Sequence, residues 1–249
     1  MATDDLARFI FEIASTKRLE ILLALTDRPL RHAELARKLE MTPSEATRIL
    51  ARLSSAGLVT KNPQTAYEPT NLTRLLLSGL PFLHFLTANR EFLLNHDVLV
   101  LPPEFVERLG ALSECTFVEG AYKVVGFQER NLKAAKRRIW VLTKQAHDNA
   151  IAIMREKAPQ GADVRVIRHR GEFEDERTGP RAVDRNYPVR VLDETRVFLA
   201  VIDDAAAVCF PTLDGNVDMG TMVFLGDPRG CRWAEDLFLH FWGVARERL

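Results

Sequence analysis

The chain has 249 residues, 47% of them hydrophobic, and its 34 Lys and Arg residues balance 34 Asp and Glu residues. A chain of this length can bury a sizeable core and is expected to hold two domains. No apolar run approaches the roughly 18 residues of a membrane span and no signal pattern opens the chain, so we expect a cytoplasmic protein with no membrane partner.

Two short helices are predicted before residue 42. Residues 17–26 and residues 31–39 each repeat apolar side chains at helical spacing. Glu40 and Met41 then leave a turn of only a few residues before Thr42. A turn of that length is what a helix-turn-helix requires.

The next helix has the strongest start signal in the chain. Thr42 suits the N-cap, Pro43 suits the first helical position, and Glu45 completes a capping box. The residues expected on its buried face are Ala46, Ile49, Leu50 and Leu53. The residues left for the outer face are Ser44, Thr47, Arg48, Ala51 and Arg52.

This outer face has two interpretations. Short side chains with two arginines a turn apart can lie in a DNA major groove, and an ordinary amphipathic surface helix has a similar pattern. The flank favours DNA, because residues 58–61 and 66–69 are predicted as a hairpin around a polar turn at residues 62–65. The predicted DNA-binding residues are Ser44, Thr47, Arg48, Arg52, Lys61, Asn62 and Gln64.

Three helices and a hairpin form a winged helix-turn-helix, and here the sequence resembles the ArsR-like regulators and their archaeal relatives. The stretches STKRLEILLAL and AELARKLEMTPSEATRILARLSSAGLV and the strand at Tyr67 carry the resemblance, which covers the first third of the chain. It implies a double-stranded DNA operator as partner. Residues 1–75, the predicted DNA-binding domain, carry a net charge of only +2, which dimerisation would double.

The cysteines and histidines do not form a metal-binding pattern. Cys115, Cys209 and Cys231 lie far apart without a CxxC pair, and no two of the six histidines form HxH or HxxxH. Buried or incidental thiols are the expected interpretation, and a redox or metal switch is the alternative. We predict no metal and no cofactor, so the metal sensing common among ArsR-like proteins has no ligand cluster here.

Residues 76–112 are predicted to be a helical linker. Residues 73–80 and 82–94 form apolar helical patterns interrupted by Gly79 and Pro81, and residues 104–112 form another. The linker is too apolar to stay free in water, so it either packs on neighbouring domains or pairs with a second subunit. Because DNA readers of this kind usually bind two half-sites, we expect a homodimer. The apolar residues concerned are Phe82, Phe85, Leu86, Phe92 and Leu93.

The remaining part, residues 113–249, is predicted to be an α/β domain. An Asp-Gly turn is expected at residues 213–216. Strands are predicted at residues 138–143, 163–168, 189–192, 197–202, 206–210 and 222–225, and helices at residues 145–158 and 233–248.

This part is similar to the output domain of archaeal methanogenesis regulatory proteins. The stretch NHDVLVLPPEFVERLGAL resembles the entry to that domain, and the resemblance covers about residues 90–249. It implies a phospholipase-D-like sensor domain, akin to the effector domain of TrmB-type sugar regulators, and leaves the ligand open. The positions that match the family's C-terminal motif are Asp214, Gly215, Asp227, Trp233, Asp236, Leu237, Phe238 and Trp242.

A basic segment suggests where an effector binds. Residues 130–170 hold 11 Lys and Arg against 3 acids, a net charge of +8. Because ligands of open α/β sheets bind outside the carboxyl ends of strands, the segment predicts a crevice for a small anionic effector. The predicted rim is Thr143, Lys144, Arg168, His169 and Arg170, with Asp203 and Asp204 pairing with these cations or binding sugar hydroxyls. A solvated basic face or a surface for DNA phosphates is the alternative.

No catalytic motif is present. Phospholipase D chemistry needs a histidine with a lysine two residues later, and none of the six histidines has one; GxSxG, Walker A and GxGxxG are also absent. The sequence therefore predicts a DNA-binding transcriptional regulator with a C-terminal sensor, and not an enzyme. An enzyme of phospholipase-D-like fold, with an accessory winged helix used for protein contacts, is the alternative.

Overall fold

The computed structural model describes residues 3–144, 147–170, 186–194 and 196–247. The chain divides into two compact units, Met1–Pro81 and Phe82–Leu249. The predicted linker at residues 76–112 is thus shared between the units instead of standing apart. In the part of the chain that is described, no helix is long and apolar enough to cross a membrane.

The first unit is a set of helices followed by a two-stranded sheet. Strands β1 and β2 are antiparallel, with Val59 opposite Pro69 and Lys61 opposite Tyr67. The predicted helix-turn-helix and hairpin are therefore confirmed. In chain order the elements are α1 (Thr3–Ile13), α2 (Thr16–Asp27), α3 (His32–Lys38), α4 (Pro43–Ser55), β1 (Val59–Lys61), β2 (Tyr67–Pro69) and α5 (Asn71–Ala88), in which the boundary between the units falls.

The core of the first unit forms from the inner faces of α2, α3 and α4. Leu22 of α2 and Leu35 of α3 are fully buried with Leu50 and Leu53 of α4. Full burial of a leucine contributes about 1.5–3 kcal/mol, so these side chains fix the position of α4. The predicted inner face of α4 is confirmed, because Ala46 and Ile49 are buried as well.

Helix α5 corrects the prediction that Gly79 and Pro81 separate two helices. It continues through Pro81, although an internal proline removes a backbone hydrogen bond and costs about 3 kcal/mol. Apolar packing on either side offsets this cost: Leu77 lies against the core of the first unit, and Phe85 is fully buried in the core of the second.

The second unit contains an eight-stranded mixed sheet in its described part. The strand order is β10-β6-β5-β4-β7-β8-β9-β3; β4 is parallel to β5 and β5 to β6, whereas every other neighbouring pair is antiparallel. The elements are α6 (Arg90–Asn95), α7 (Pro103–Val106), a 3-10 turn (Leu109–Leu112), β3 (Thr116–Glu119), α8 (Ala121–Ala134), β4 (Arg138–Thr143), α9 (Asp148–Lys157), a 3-10 turn (Ala158–Gln160), β5 (Asp163–His169), β6 (Val189–Leu192), β7 (Phe198–Ile202), β8 (Ala205–Cys209), β9 (Thr221–Leu225), α10 (Pro228–Val244) and β10 (Arg246–Glu247).

Both faces of this sheet are covered by helices, as an α/β domain requires. Successive residues of β4 point to opposite faces, so Ile139 joins the core beneath α8 and α9, and Trp140 joins the core beneath α10. The predicted apolar residues of the linker pack in or against the α10-side core, which confirms the alternative of domain packing for Phe82, Phe85, Leu86, Phe92 and Leu93.

Several predicted boundaries differ from the observed ones. Helix α10 begins five positions earlier than expected, because Asp227 caps it by accepting hydrogen bonds from the N–H groups of Arg229 and Gly230. The helix predicted at residues 104–112 is split into α7 and a 3-10 turn. Helix α9 starts at Asp148, and the first residues of the helix predicted from residue 145 lie outside the described residues.

Candidate DNA-binding surface and effector cleft

Helix α4 is held at its start by the predicted N-cap. The Thr42 hydroxyl accepts a hydrogen bond from the Glu45 N–H at 3.2 Å, which is one half of the predicted capping box. The preceding turn places Glu40 in the left-handed region at a φ of 50° and buries Met41. This turn sets the angle at which α4 leaves α3.

The predicted outer face of α4 is exposed: Ser44, Thr47, Arg48, Ala51 and Arg52 all lie at the surface. Thr47 is already engaged there. Its hydroxyl lies 2.9 Å from the Pro43 carbonyl oxygen and 2.9 Å from Nε2 of His32, which is also 3.1 Å from that carbonyl oxygen. This cluster links α3 to the first turn of α4.

The two arginines of this face have different surroundings. Arg52 donates from Nε and Nη2 to the Glu12 carboxylate at 2.6 and 2.8 Å, and its guanidinium lies 5.2 Å from the centre of the Phe11 ring. The hydrogen bond from Arg52 is the largest cause of the lowered pKa of Glu12, and Glu12 in turn raises the pKa of Arg52. Within the described residues no carboxylate pairs with Arg48. Arg48 is therefore the available cation of α4, whereas Arg52 is tied to α1.

Helix α1, which the sequence analysis missed, supplies this pairing. Its apolar residues Leu6, Ile10 and Phe11 are exposed, and of its described residues only Ile13 is buried. Their spacing therefore marks no core face. A sequence signal for the Glu12–Arg52 pair does not exist, because the two residues lie 40 positions apart.

The hairpin presents Lys61 and Gln64 at its surface. The ammonium of Lys61 lies 5.0 Å from the centre of the Tyr67 ring. The side-chain oxygen of Asn62 accepts hydrogen bonds from the N–H groups of Gln64 and Ala66, both at 3.0 Å, so this oxygen builds the turn and is not open to a base.

Most of the predicted effector residues meet at one edge of the sheet. Parallel strands β4, β5 and β6 end together, and the register places Thr143 opposite Arg168 and His169 opposite Leu192. Thr143 and Arg168 are buried, and Lys144 is exposed. Arg170 also lies here and pairs with Asp193 at 3.0 Å.

The prediction that Asp203 joins this rim is wrong. Strand β7 runs antiparallel to β4, so its carboxyl end lies at the opposite edge of the sheet. There the Asp203 carboxylate accepts hydrogen bonds from the backbone N–H groups of Lys136, Arg137 and Arg138 at 2.9, 2.8 and 2.9 Å. Burial raises the pKa of Asp203, but these three donors outweigh it and the pKa is lowered. Asp204 lies at the same edge and pairs with Arg137.

A cleft of about 230 Å³ opens at the carboxyl edge. It adds two polar residues that the sequence analysis missed, His147 and Asn216. The Asp-Gly turn was recognisable, but its position beside the start of β7 depends on how β8 and β9 pair. The lining residues are Thr143, Lys144, His147, Val197, Phe198, Asn216, Val217 and Met219.

A second cleft, of about 360 Å³, has the opposite electrostatic character. Glu91 and Glu119 line it, together with the rings of Phe92 and His96. These two rings are stacked, with their centroids 4.1 Å apart. No lysine or arginine is among its described lining residues. This cleft has no signal in the sequence, because its walls come from α6 and from β3, a strand that was not predicted.

The three cysteines are poor candidates for a redox or metal switch. Burial raises the pKa of the Cys115 thiol to about 11 and that of the Cys209 thiol to about 12. The pKa of Cys231 is raised as well, mainly by burial. Because the thiolate is the reactive and metal-binding form, such thiols are unreactive at neutral pH. Among the described residues no group of three or more His, Cys, Asp or Glu side chains could hold a metal ion.

The sequence comparisons concern the first unit. Residues 15–61, from the start of α2 to the end of β1, match the family described as "Bacterial regulatory protein, arsR family". No curated protein sequence matches the chain.

Among solved structures, the chain is similar to TrmBL2, described as an archaeal chromatin protein, at 16% identity and a TM-score of 0.46, covering 99% of this chain and 100% of that one. It is also similar to the phospholipase D family member Nuc from Salmonella typhimurium, at 12% identity and a TM-score of 0.43, covering 54% of this chain and 98% of that one. NucT from Helicobacter pylori gives 11% identity and a TM-score of 0.45, with the same coverages of 54% and 98%. These TM-scores are too low to carry a conclusion about this chain. The matched segment and the observed hairpin together show that the first unit has a winged helix-turn-helix fold and is similar over residues 15–61 to the arsR family of regulatory proteins.

Proposed function

We propose that this chain is a transcriptional regulator that reads an operator through α4 and the β1–β2 hairpin, while its second unit binds a small effector that alters operator affinity. The observation that carries the proposal is the exposed, acid-free position of Arg48 on α4, inside the segment that matches the arsR family. An arginine in this position can donate two hydrogen bonds to a guanine in the major groove.

Phosphate contacts would come from the hairpin and the helix surface. Lys61 is exposed on β1, and Gln64 lies in the turn between the strands. Ser44 is exposed in the first turn of α4, where hydroxyl and backbone N–H groups commonly meet a phosphate. We assign direct reading of bases to Arg48 and positioning on the backbone to the other residues.

The effector role rests on the carboxyl-edge cleft. It lies where open α/β sheets bind ligands, and its exposed cation, Lys144, has no acid partner among the described residues. Effector binding would act by population shift, because a ligand that prefers one of two states of the protein changes operator affinity by the ratio of its two affinities.

A homodimer is part of the proposal. Leu72 and Leu75 of α5 and Ile10 of α1 are at least 47% exposed and belong to the first unit. Dimerisation would cover such apolar surface and present two α4 helices to a palindromic operator. Light scattering of the full chain at micromolar concentration is expected to give about twice the chain mass, and a monomer would remove the expectation of a palindrome.

Selection of bound duplexes from a random DNA pool tests DNA reading itself. The full chain is expected to enrich one short motif, repeated as an inverted pair if the protein is a dimer. The alternative function, an enzyme with an accessory winged helix, predicts no enrichment above a control pool that was never exposed to the protein.

A further inference from the structure

The carboxyl-edge cleft continues inward as an apolar cavity. This inner cavity of about 50 Å³ shares Thr143, His147, Phe198 and Met219 with the cleft, so the two spaces adjoin. Its remaining lining residues are Gln128, Leu132, Val141, Ala150, Met154, Ala200 and Ile202.

The inner cavity exists because the middle of this sheet face carries small side chains. Helix α8 packs on β3 and β9 and beside α9, whereas the central strands β7 and β8 present Ala200 and Ala207 to the same face. An alanine side chain ends at Cβ, so the space above these strands is not filled. A further apolar gap of about 20 Å³ continues under α8 along Ala205 and Ala207.

The mouth and the interior of this space differ in chemistry. Lys144, His147 and Asn216 supply an ammonium, an imidazole and an amide at the mouth. No aspartate or glutamate is among the described lining residues of the cleft or of the inner cavity. Hydrogen-bond donors at the mouth suit a carboxylate, and the walls behind them suit hydrocarbon.

We propose that the effector is an amphipathic carboxylate, with its head at Lys144 and His147 and a short apolar chain between α8 and α9 over Ala200. A space of about 50 Å³ admits about four groups of water size, so the chain beyond the head is short. Each methylene that enters strengthens binding about fourfold. The proposal deepens the effector role given above and rests on that role for its regulatory consequence.

The test measures binding of acetate, butanoate, hexanoate and octanoate to the full chain by thermal shift and calorimetry. Affinity is expected to rise about fourfold per methylene and to level off once the chain outgrows the cavity. The melting temperature should rise with ligand concentration by mass action. Inorganic phosphate, which has only a head, should give a much smaller shift than octanoate.

Two variants separate the contribution of the ligand's carboxylate head from that of its hydrocarbon tail. Ala200→Leu fills the inner cavity and should abolish the dependence on chain length. Ala152→Leu adds the same side chain at an exposed position of α9 and should change nothing. Lys144→Ala, also at an exposed position, should lower the binding affinity for all four carboxylates by a similar factor. The test therefore does not depend on the folding of the Ala200 variant.

The proposal is overturned if affinity is independent of chain length, or if phosphate matches octanoate. It is also overturned if alkylamines of equal length bind more tightly, which would direct the ligand to the acidic cleft at Glu91 and Glu119. If octanoate binds as expected but leaves operator affinity unchanged, the ligand site stands and the effector role fails. If no carboxylate binds while operator binding is intact, the ligand site fails and DNA reading stands.

Discussion

Two basic regions of this chain differ in whether carboxylates pair with their arginines. At the amino end of β4, Arg137 pairs with Asp204 and Arg138 pairs with Glu235. On the outer face of α4, Arg48 has no carboxylate partner among the described residues. The β4 region is strongly basic in the sequence and is largely neutralised in the fold. The α4 region has a net charge of only +1 in the sequence, from Arg48 and Arg52 against Glu45, yet it keeps a cation available for a ligand.

This difference shows that charge counted along a window of sequence overstates the charge that is available to a ligand. The segment at residues 130–170 sums to +8, but Asp203, Asp204 and Glu235, which lie outside it in sequence, are brought to its amino-terminal edge. A ligand meets the charge arranged in space, and pairing removes most of the field at this edge. The part that remains open is the carboxyl edge at Lys144.

The largest effect is expected at the neutralised region. Asp203→Ala should lower the free energy of unfolding by about 2–3 kcal/mol, because three backbone N–H groups lose their acceptor. Asp203 also has a φ of 49°, which alanine tolerates poorly. Urea unfolding of the full chain, monitored by circular dichroism, measures the change.

Asp204→Ala is the matched control for this variant. Asp204 is adjacent and its side chain is 87% exposed, so loss of its ion pair with Arg137 should change stability by less than about 0.5 kcal/mol. Equal destabilisation by the two variants would mean that Asp203 is no more a structural residue than its neighbour.

The exposed cations of the first unit should affect DNA binding and not stability. Lys61→Ala is expected to weaken binding to every DNA sequence by a similar factor and to reduce the salt slope by about one unit, because a phosphate contact releases a counterion. Titrations at several salt concentrations by fluorescence anisotropy measure both quantities. Arg137→Ala, which removes a cation already paired with Asp204, should leave the slope unchanged.

A smaller effect is expected from releasing Arg52. Glu12→Gln removes the carboxylate that holds the guanidinium, so Arg52 becomes available to phosphate and DNA affinity should rise by a few-fold at low salt. A fall in affinity would mean that the Glu12–Arg52 pair positions α4 for DNA instead of competing with it.

The pH dependence of the same pair gives the smallest effect. The pKa of Glu12 is lowered in the folded chain, mainly by its hydrogen bond with Arg52. The pair therefore contributes stability above the unfolded value of about 4.3, and this contribution is lost as pH falls through the lowered folded pKa. An NMR titration of the Glu12 carboxyl should give a lower midpoint in the parent chain than in Arg52→Ala, in which the hydrogen bond that lowers this pKa is lost.

The sequence predicts local features of this protein well and relations between distant elements poorly. The start of α4 follows from Thr42 and Pro43, and its buried face follows from the spacing of its apolar residues, so the helix that we propose reads DNA can be located without coordinates. The position of Asp203 depends on the direction of β7 relative to β4, which no local pattern encodes.

The continuation of α5 through Pro81 and the Glu12–Arg52 ion pair also depend on contacts between residues that are distant in sequence. Pro81 is a helix breaker by local rules, and only the packing of Leu77 and Phe85 into two different cores explains why α5 continues. Glu12 and Arg52 give no sequence signal that they meet. The inner cavity is likewise invisible in the sequence, since it depends on which small residues face the gap between α8 and α9.

The most direct test of DNA reading by α4 is the ratio of affinities for the selected DNA motif and for a scrambled duplex, measured for the parent chain and for Arg48→Ala. If Arg48 reads a base, the ratio should fall by the equivalent of about 1–3 kcal/mol, while affinity for the scrambled duplex changes far less. Arg137→Ala, the matched control, should leave the ratio unchanged. If Arg48→Ala lowers both affinities equally, or neither, then α4 does not read the operator through Arg48 and the central claim is wrong.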